Sequence, residues 1–290
     1  MKVSVGTIES DCHGFNSIAD ISSKTKDAWI DSIELDLSSC SFFEANMAAP
    51  LYVVIARLRD KLNDVSITNM PSVINTILRK NKFLSIFNQS DLTDINQTTL
   101  PFKIFKLNAG DQFNDYLDIY MKGKGIPSMS DALTKRFKQS LFEIFLNASI
   151  HSQSESGIFV CGQFYPKKHR IDFTIADAGV GILENVQNYL RNPNIDSCDA
   201  IKWAMVEGHT TKTKNHPGGL GLKLIKDFIQ INGGKFQVVS RFGYYELSAN
   251  REFLQKMNND FTGTCINIEI NTEDNNSYYL KSELKSEDIF

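Results

Sequence analysis

Cysteine pairs, an excess of charge of one sign and long apolar runs are all missing from this chain of 290 residues. Its five cysteines (Cys12, Cys40, Cys161, Cys198 and Cys265) are scattered and form no CxxC pair. An odd, unpaired set suits a reducing cytosol, with the thiols acting as small buried apolar groups. Thirty-one basic residues against 34 acidic leave a net charge of -3. That balance gives no support to a nucleic-acid partner, although a local basic patch stays open. Apolar stretches reach only about ten residues, half of what a bilayer requires. Glu9 and Asp11 break the apolar run at the N-terminus, so no signal-peptide pattern is present. No fixed repeat period or low-complexity tract occurs. The expectation is a cytoplasmic protein without a membrane span.

What is present is ordinary globular composition, 42% apolar and 22% charged, too apolar for disorder. At about 100–200 residues per domain, one large or two modest domains are expected. Ile33–Leu37 alternates like a strand, and Phe42–Arg59 carries Met47, Leu51, Val54, Ile55 and Leu58 at helical spacing. Asn63–Thr68 reads as a second strand and Val73–Phe87 as a second helix. This β-α-β-α order favours a small α/β layer over residues 1–95. The polar stretch Asn88–Thr99 and the aromatic segment Leu100–Met129 suggest a linker over residues 96–129 that packs on a domain or swaps between subunits.

Ser130 then offers an N-cap with Asp131 in the first turn. Leu133, Phe137, Leu141, Ile144, Phe145 and Ala148 form one apolar stripe along about five turns. Phe142, Leu146 and Ile150 add apolar groups on the far side, which predicts burial on more than one face. Strands are expected near Gly157–Phe164, Arg170–Ala176, Phe236–Ser240 and Thr264–Asn271. Helices on a mainly antiparallel sheet give an α+β sandwich over residues 130–272, with a polar tail over 273–290.

Four elements carry chemistry. Glu143 and Asn147 are four residues apart on the edge of the helical stripe. An amide oxygen there is a plausible hard ligand for Mg²⁺, and a carboxylate can orient or deprotonate a water; taken alone, the pair reads by default as a helix edge meeting solvent. Asp177-Ala-Gly179-Val-Gly181 follows a strand, where glycines permit positive φ or close backbone approach and an aspartate can accept from an exocyclic amine. Gly218-Gly219-Leu220-Gly221-Leu222 leads into an apolar helix whose exposed N–H groups suit phosphate. It lacks the P-loop Gly-Lys-Ser/Thr, and no preceding strand supports a Rossmann reading. Thr264, after Gly263, opens the last strand; alone it reads only as β propensity.

In order and spacing these four resemble the N box, the two glycine boxes and the closing threonine of the GHKL ATP-binding superfamily, which includes DNA gyrase, the histidine kinases and MutL. The resemblance covers Ser130 to Asn271, nearly half the chain. It implies a Bergerat fold and ATP with Mg²⁺ as ligands. It implies Asn147 as the Mg²⁺ ligand, Glu143 as the base, and Asp177, supported by Thr264, as the acceptor for the adenine amine. Gly179 and Gly181 would close over the nucleotide, while Gly218, Gly219, Leu220, Gly221 and Leu222 would wrap the phosphates. Residues 182–217 would form the ATP lid, with Lys212 as a phosphate contact; Lys212 and Lys214 also read as a solvated loop. His151 extends the Glu143/Asn147 face by another turn, where a surface or packed histidine is the default.

Residues 1–95 resemble, more loosely, a STAS domain, the fold of anti-sigma-factor antagonists. The resemblance rests on Ile33–Leu37, the run Ser38–Glu44 with its following helix, and the helix ending Lys80–Phe87. The turn that carries a phosphorylatable serine in antagonists reads Glu44-Ala45-Asn46-Met47 here, without a hydroxyl. Upstream of the N box the single histidine is His13, so a sensor-kinase phosphoacceptor hairpin is not found. The resemblances together imply an ATP·Mg-binding regulatory protein, a slow ATPase or nucleotide-driven switch coupled to the STAS-like module, with a signalling protein as partner. The alternative they imply is a serine/threonine kinase acting on a separate STAS protein. Homodimerisation through an N-terminal arm stays open.

Overall fold

A helix that carries the chain back to the end where the preceding strand began lets the next strand pair with it in parallel. In the computed structural model, which describes residues 1–206, 208–209 and 220–283, the first third of the chain does this. Strands β1 (Lys2–Ser4), β2 (Ser32–Asp36) and β3 (Asp64–Thr68) form a parallel sheet in the order β1-β2-β3. Helices α1 (Cys12–Lys24), α2 (Ala48–Asp60) and α3 (Ser72–Lys80) connect and follow them. Helix α1 was not expected. Its polar start is a cap, in which the Asp11 side chain accepts from the Gly14 amide at 2.7 Å, and Phe15, Ile18, Ala19 and Ile21 are buried behind it. The helix expected over Phe42–Arg59 starts at Ala48, after a 3-10 turn at Ala45–Met47. That expected over Val73–Phe87 stops at Lys80, since Lys82 adopts φ +64.

The rest of the chain builds a second, larger sheet. Its strands are β4 (Thr99–Phe105), β5 (Ile158–Tyr165), β6 (Arg170–Asp177), β7 (Lys235–Ser248) and β8 (Arg251–Asn271), in the order β4-β5-β6-β8-β7. Every pairing is antiparallel. The architecture is therefore mixed α+β. Residues 96–129, read as a linker, supply the edge strand β4 and helix α4 (Gly110–Tyr120). Phe105, Phe113 and Phe145 form one aromatic cluster with centroids 4.5–5.7 Å apart, which joins both to the sheet's helical layer.

Helix α5 (Asp131–His151) starts where its cap requires, with Ser130 Oγ accepting from the Leu133 amide at 3.1 Å. Its stripe is buried from Leu133 to Phe145, Ala148 is half-buried, and Ile150 on the far side is exposed. Helices α6 (Gly181–Leu190), α7 (Ser197–Ala204) and α8 (Leu220–Asn232) complete the described helices. Tyr278, within the segment expected as a polar tail, is buried against Phe228 with ring centroids 5.0 Å apart.

Strands β5 and β6 are buried on both faces, so something must cover each side. On one side lies the core that includes Phe137, Leu141, Ile225 and Phe228 from α5 and α8. On the other, Phe159, Cys161, Ala176 and Cys265 share a core with Tyr52, Val53 and Val54 of α2. The small parallel layer thus packs directly against the sheet. The β7–β8 hairpin reinforces this contact. It turns through Ala249 and Asn250, both at positive φ, extends past the inner strands and packs Tyr244, Met257 and Phe261 around Phe15 of α1. Between the layers lies a buried polar seam. Asn46 Nδ2 donates to Ser10 Oγ (2.8 Å) and Asn267 Oδ1 (3.1 Å), and Thr174 donates to Asn267 Oδ1 (2.7 Å). Arg170 pairs with Glu44 and, at 2.9 Å, with Glu269.

Candidate functional site

Strand period and helix period meet at one end of the second sheet. On β6, Ile175 and Asp177 are two residues apart and share a face; on β8, Thr264 and Ile266 do the same. The register pairs Asp177 with Thr264 and Ile175 with Ile266, so the four form a patch two residues wide. This patch is the floor of a partly open cleft. Ile144, Asn147, Ala148 and His151 form one wall, at the i, i+3, i+4 and i+7 positions of a single helical face. Gly181, Ile182, Asn185 and Val186 of α6 also line the cleft, and Asn185 Nδ2 donates to the His151 carbonyl at 3.1 Å. Trp203 and His209 stand at another side, stacked with ring centroids 4.7 Å apart. His209 Nδ1 donates to the Trp203 carbonyl at 2.9 Å.

The turn that ends β6 is tightly built. Asp177 Oδ1 accepts from the Gly179 amide at 2.9 Å. A Cβ at Gly179 would lie 2.0 Å from the Ser152 carbonyl oxygen, so only glycine lets the turn pass the end of α5. The Val180 amide donates to that same carbonyl at 2.9 Å. Gly181 then takes φ +84, and the Ile182 amide donates to Ser240 Oγ at 2.9 Å. Asp177 is only 3% exposed. Burial pushes its carboxyl up to about 7, against the opposing pull of the Gly179 amide, the Arg57 guanidinium and the Thr264 amide. A buried acid with a displaced titration on a cleft floor marks a functional candidate.

Of the residues singled out in the sequence, Asn147, Asp177, Gly181, Leu222 and Thr264 line this cleft together. His151, read as a surface or packed residue, lines it as well. Glu143 does not line it; it sits one turn earlier on α5, with Oε1 buried and without a hydrogen-bond partner. Gly179 is not among the lining residues; it is the pivot of the turn, where a Cβ would strike the Ser152 carbonyl. Leu220 and Gly221 open α8. Lys212, Lys214, Gly218 and Gly219 lie outside the described residues. Ile182, Asn185, Trp203 and His209 were missed as individuals, because they fall in a stretch read only as a lid. Trp203 alone carried a signal, as one of two tryptophans in the chain.

Among the described residues, no group of three or more His, Cys, Asp or Glu side chains could hold a metal ion. None of the described helices is long and apolar enough to cross a membrane. Comparison with protein-family models gives no match for this chain, and comparison with curated protein sequences gives none either.

Proposed function

We propose that the cleft binds ATP together with Mg²⁺ and that the chain is a nucleotide-driven regulatory switch of the GHKL type with slow ATPase activity. In this reading the second sheet and its helices form a Bergerat fold, and residues 1–95 a STAS-like module. One observation carries it: Asn147, Asp177, Gly181, Leu222 and Thr264, drawn from four separated motifs, line a single cleft. A chance set of helix edges and turns has no reason to converge in this way.

The chemistry of the donors fits the ligand. Asp177 and Thr264 offer polar groups on an otherwise apolar floor formed with Ile175 and Ile266, as a purine with one amine edge requires. Mg²⁺ usually takes one or two protein ligands and completes its shell from phosphates and water, so the Asn147 oxygen suffices as the protein's share. When bound, that ion supplies charge neutralisation at the phosphates. Glu143 Oε1 is a buried acceptor without a partner, as a group that positions and deprotonates a water would be before its substrate arrives. Asp177 in its ionised form accepts the amine, and Thr264 steadies that edge. Nucleotide occupancy is then read by the N-terminal layer or by a signalling partner.

The test uses Trp203. In a Trp29→Phe background it is the single tryptophan, since Trp29 is the other and lies exposed in the first layer. Non-hydrolysable ATP analogue with Mg²⁺ should change Trp203 emission saturably, with calorimetry giving the same affinity, and Asp177→Asn should abolish both. No binding by either method at millimolar analogue overturns the reading.

A further inference from the structure

The C-terminal half of α2 ends directly against the turn that carries Asp177. Arg57 Nη2 donates to the Gly179 carbonyl at 2.9 Å. Gly179 is therefore held at both ends, its N–H by the Asp177 carboxylate and its C=O by a guanidinium from the first layer. Val53, one turn before Arg57, packs beneath Gly263, where an added Cβ would meet its Cγ1 at 3.2 Å. Gly263 itself takes φ +146, and a Cβ there would lie 2.1 Å from the Asp177 carbonyl oxygen, so both conformation and space require glycine. Ala176 and Ala178, on either side of Asp177, share the buried core of Val53 and Val54.

We infer that Arg57 is a positioning residue of the cleft, so that the N-terminal layer completes the site from behind instead of merely being tethered to it. Asp177 is aimed into the cleft by a turn with three supports, and one of them, Arg57, lies more than a hundred residues upstream. An arginine suits this task, since its fixed fork of donors can grip a carbonyl while its charge acts on a nearby carboxylate. The charged and titratable groups around this point come from every packed element. Arg57 comes from α2 and His151 from α5, while Cys265 lies buried next to the aspartate on β8. The Arg241–Asp260 pair, 2.7 Å apart, also lies within the field of Arg57. Of these, Arg57 is the cation that favours ionised Asp177 against its burial. What Asp177 receives rests on the purine reading; that Arg57 holds its turn does not.

The experiment uses the full chain with Arg57→Met, which keeps an apolar stem, and Arg57→Gln, which keeps a donor without charge. Carboxyl ¹³C NMR follows Asp177 without nucleotide, assigned by its disappearance in Asp177→Asn. Both variants should raise the Asp177 midpoint, by about one pH unit in Arg57→Met. Affinity for ATP analogue with Mg²⁺ should fall about tenfold near neutral pH and recover toward the parental value about two units higher. A purely structural loss would lower affinity equally at all pH values. An unmoved Asp177 midpoint and affinity in a folded variant overturn the inference, and Arg57→Gln decides alone if Arg57→Met does not fold. If the parent protein binds no nucleotide, the purine reading falls while the Asp177 titration still decides the role of Arg57.

Discussion

Asp177 stands directly opposite Thr264 across the β6–β8 pairing, with the carboxylate and the hydroxyl on the same face of the sheet. Antiparallel register places them together although 86 residues separate them in sequence. Ser240 links this pair to the neighbouring strand, donating from Oγ to the Gly263 carbonyl at 2.8 Å. Backbone pairing thus sets the polar end of the floor, and the turn after Asp177 then holds its carboxylate.

Asp177 should make stability and binding depend on pH in opposite senses. Its folded-state carboxyl titrates near 7, above an unfolded aspartate near 4. Between those values the folded chain holds a proton that the unfolded chain has lost, so stability falls as pH rises through this window. Nucleotide binding through the ionised form should instead strengthen as pH rises toward 7. Asp177→Asn removes the burial penalty, and thermal unfolding should show it stabilised more at about pH 8 than at about pH 5. Equal effects at both values would contradict the account.

Gly179 is required by the end of α5. An alanine there puts Cβ 2.0 Å from the Ser152 carbonyl oxygen, a backbone atom that cannot swing aside. Urea unfolding of Gly179→Ala should show a loss of at least about 2 kcal/mol. Gly6→Ala, with no atom within 4 Å of its Cβ, should stay within about 0.5 kcal/mol of the parent.

Glu143 and Asn147 should separate turnover from binding. Glu143→Gln keeps the shape and removes the charge, so analogue affinity should hold within about threefold while ATP hydrolysis falls a hundredfold or more. Asn147→Ala should reduce the affinity measured with Mg²⁺ to that measured without it. Hydrolysis that persists in Glu143→Gln excludes Glu143 as the base.

Asn46 holds the seam between the two layers. Asn46→Ala leaves Asn267 and Ser10 short of a buried partner and should cost about 1–3 kcal/mol in urea unfolding. An unchanged midpoint would mean that the seam contributes little.

Much of the local structure could be read from residue order. The Ser130 cap and the Leu133–Phe145 stripe mark α5, and Ile33–Leu37 marks β2. The outer half of the β7–β8 hairpin could not, because its turn uses Ala249 and Asn250 in place of an Asn-Gly signal. Helix α1 hid behind its own cap, whose polar residues look like a loop. In residues 96–129, the polar approach and glycine-flanked exit masked an edge strand whose apolar character is satisfied by β5 and α4. Within the site, Asn147 was distinguishable by type and by its spacing from Glu143. Ile182, Asn185 and His209 were not, since nothing in their local pattern separates a cleft wall from a surface.

Residue order by itself determined the caps, the helix and strand periods and the succession of the four motifs, all of which depend on contacts within one turn or one ladder step. Only the tertiary structure decided that Asn147, Asp177 and Thr264 share a cleft, that Gly179 answers to Ser152, and that Arg57 reaches the turn from behind. Those outcomes depend on two layers burying both faces of one sheet, an energy that no short window of sequence contains.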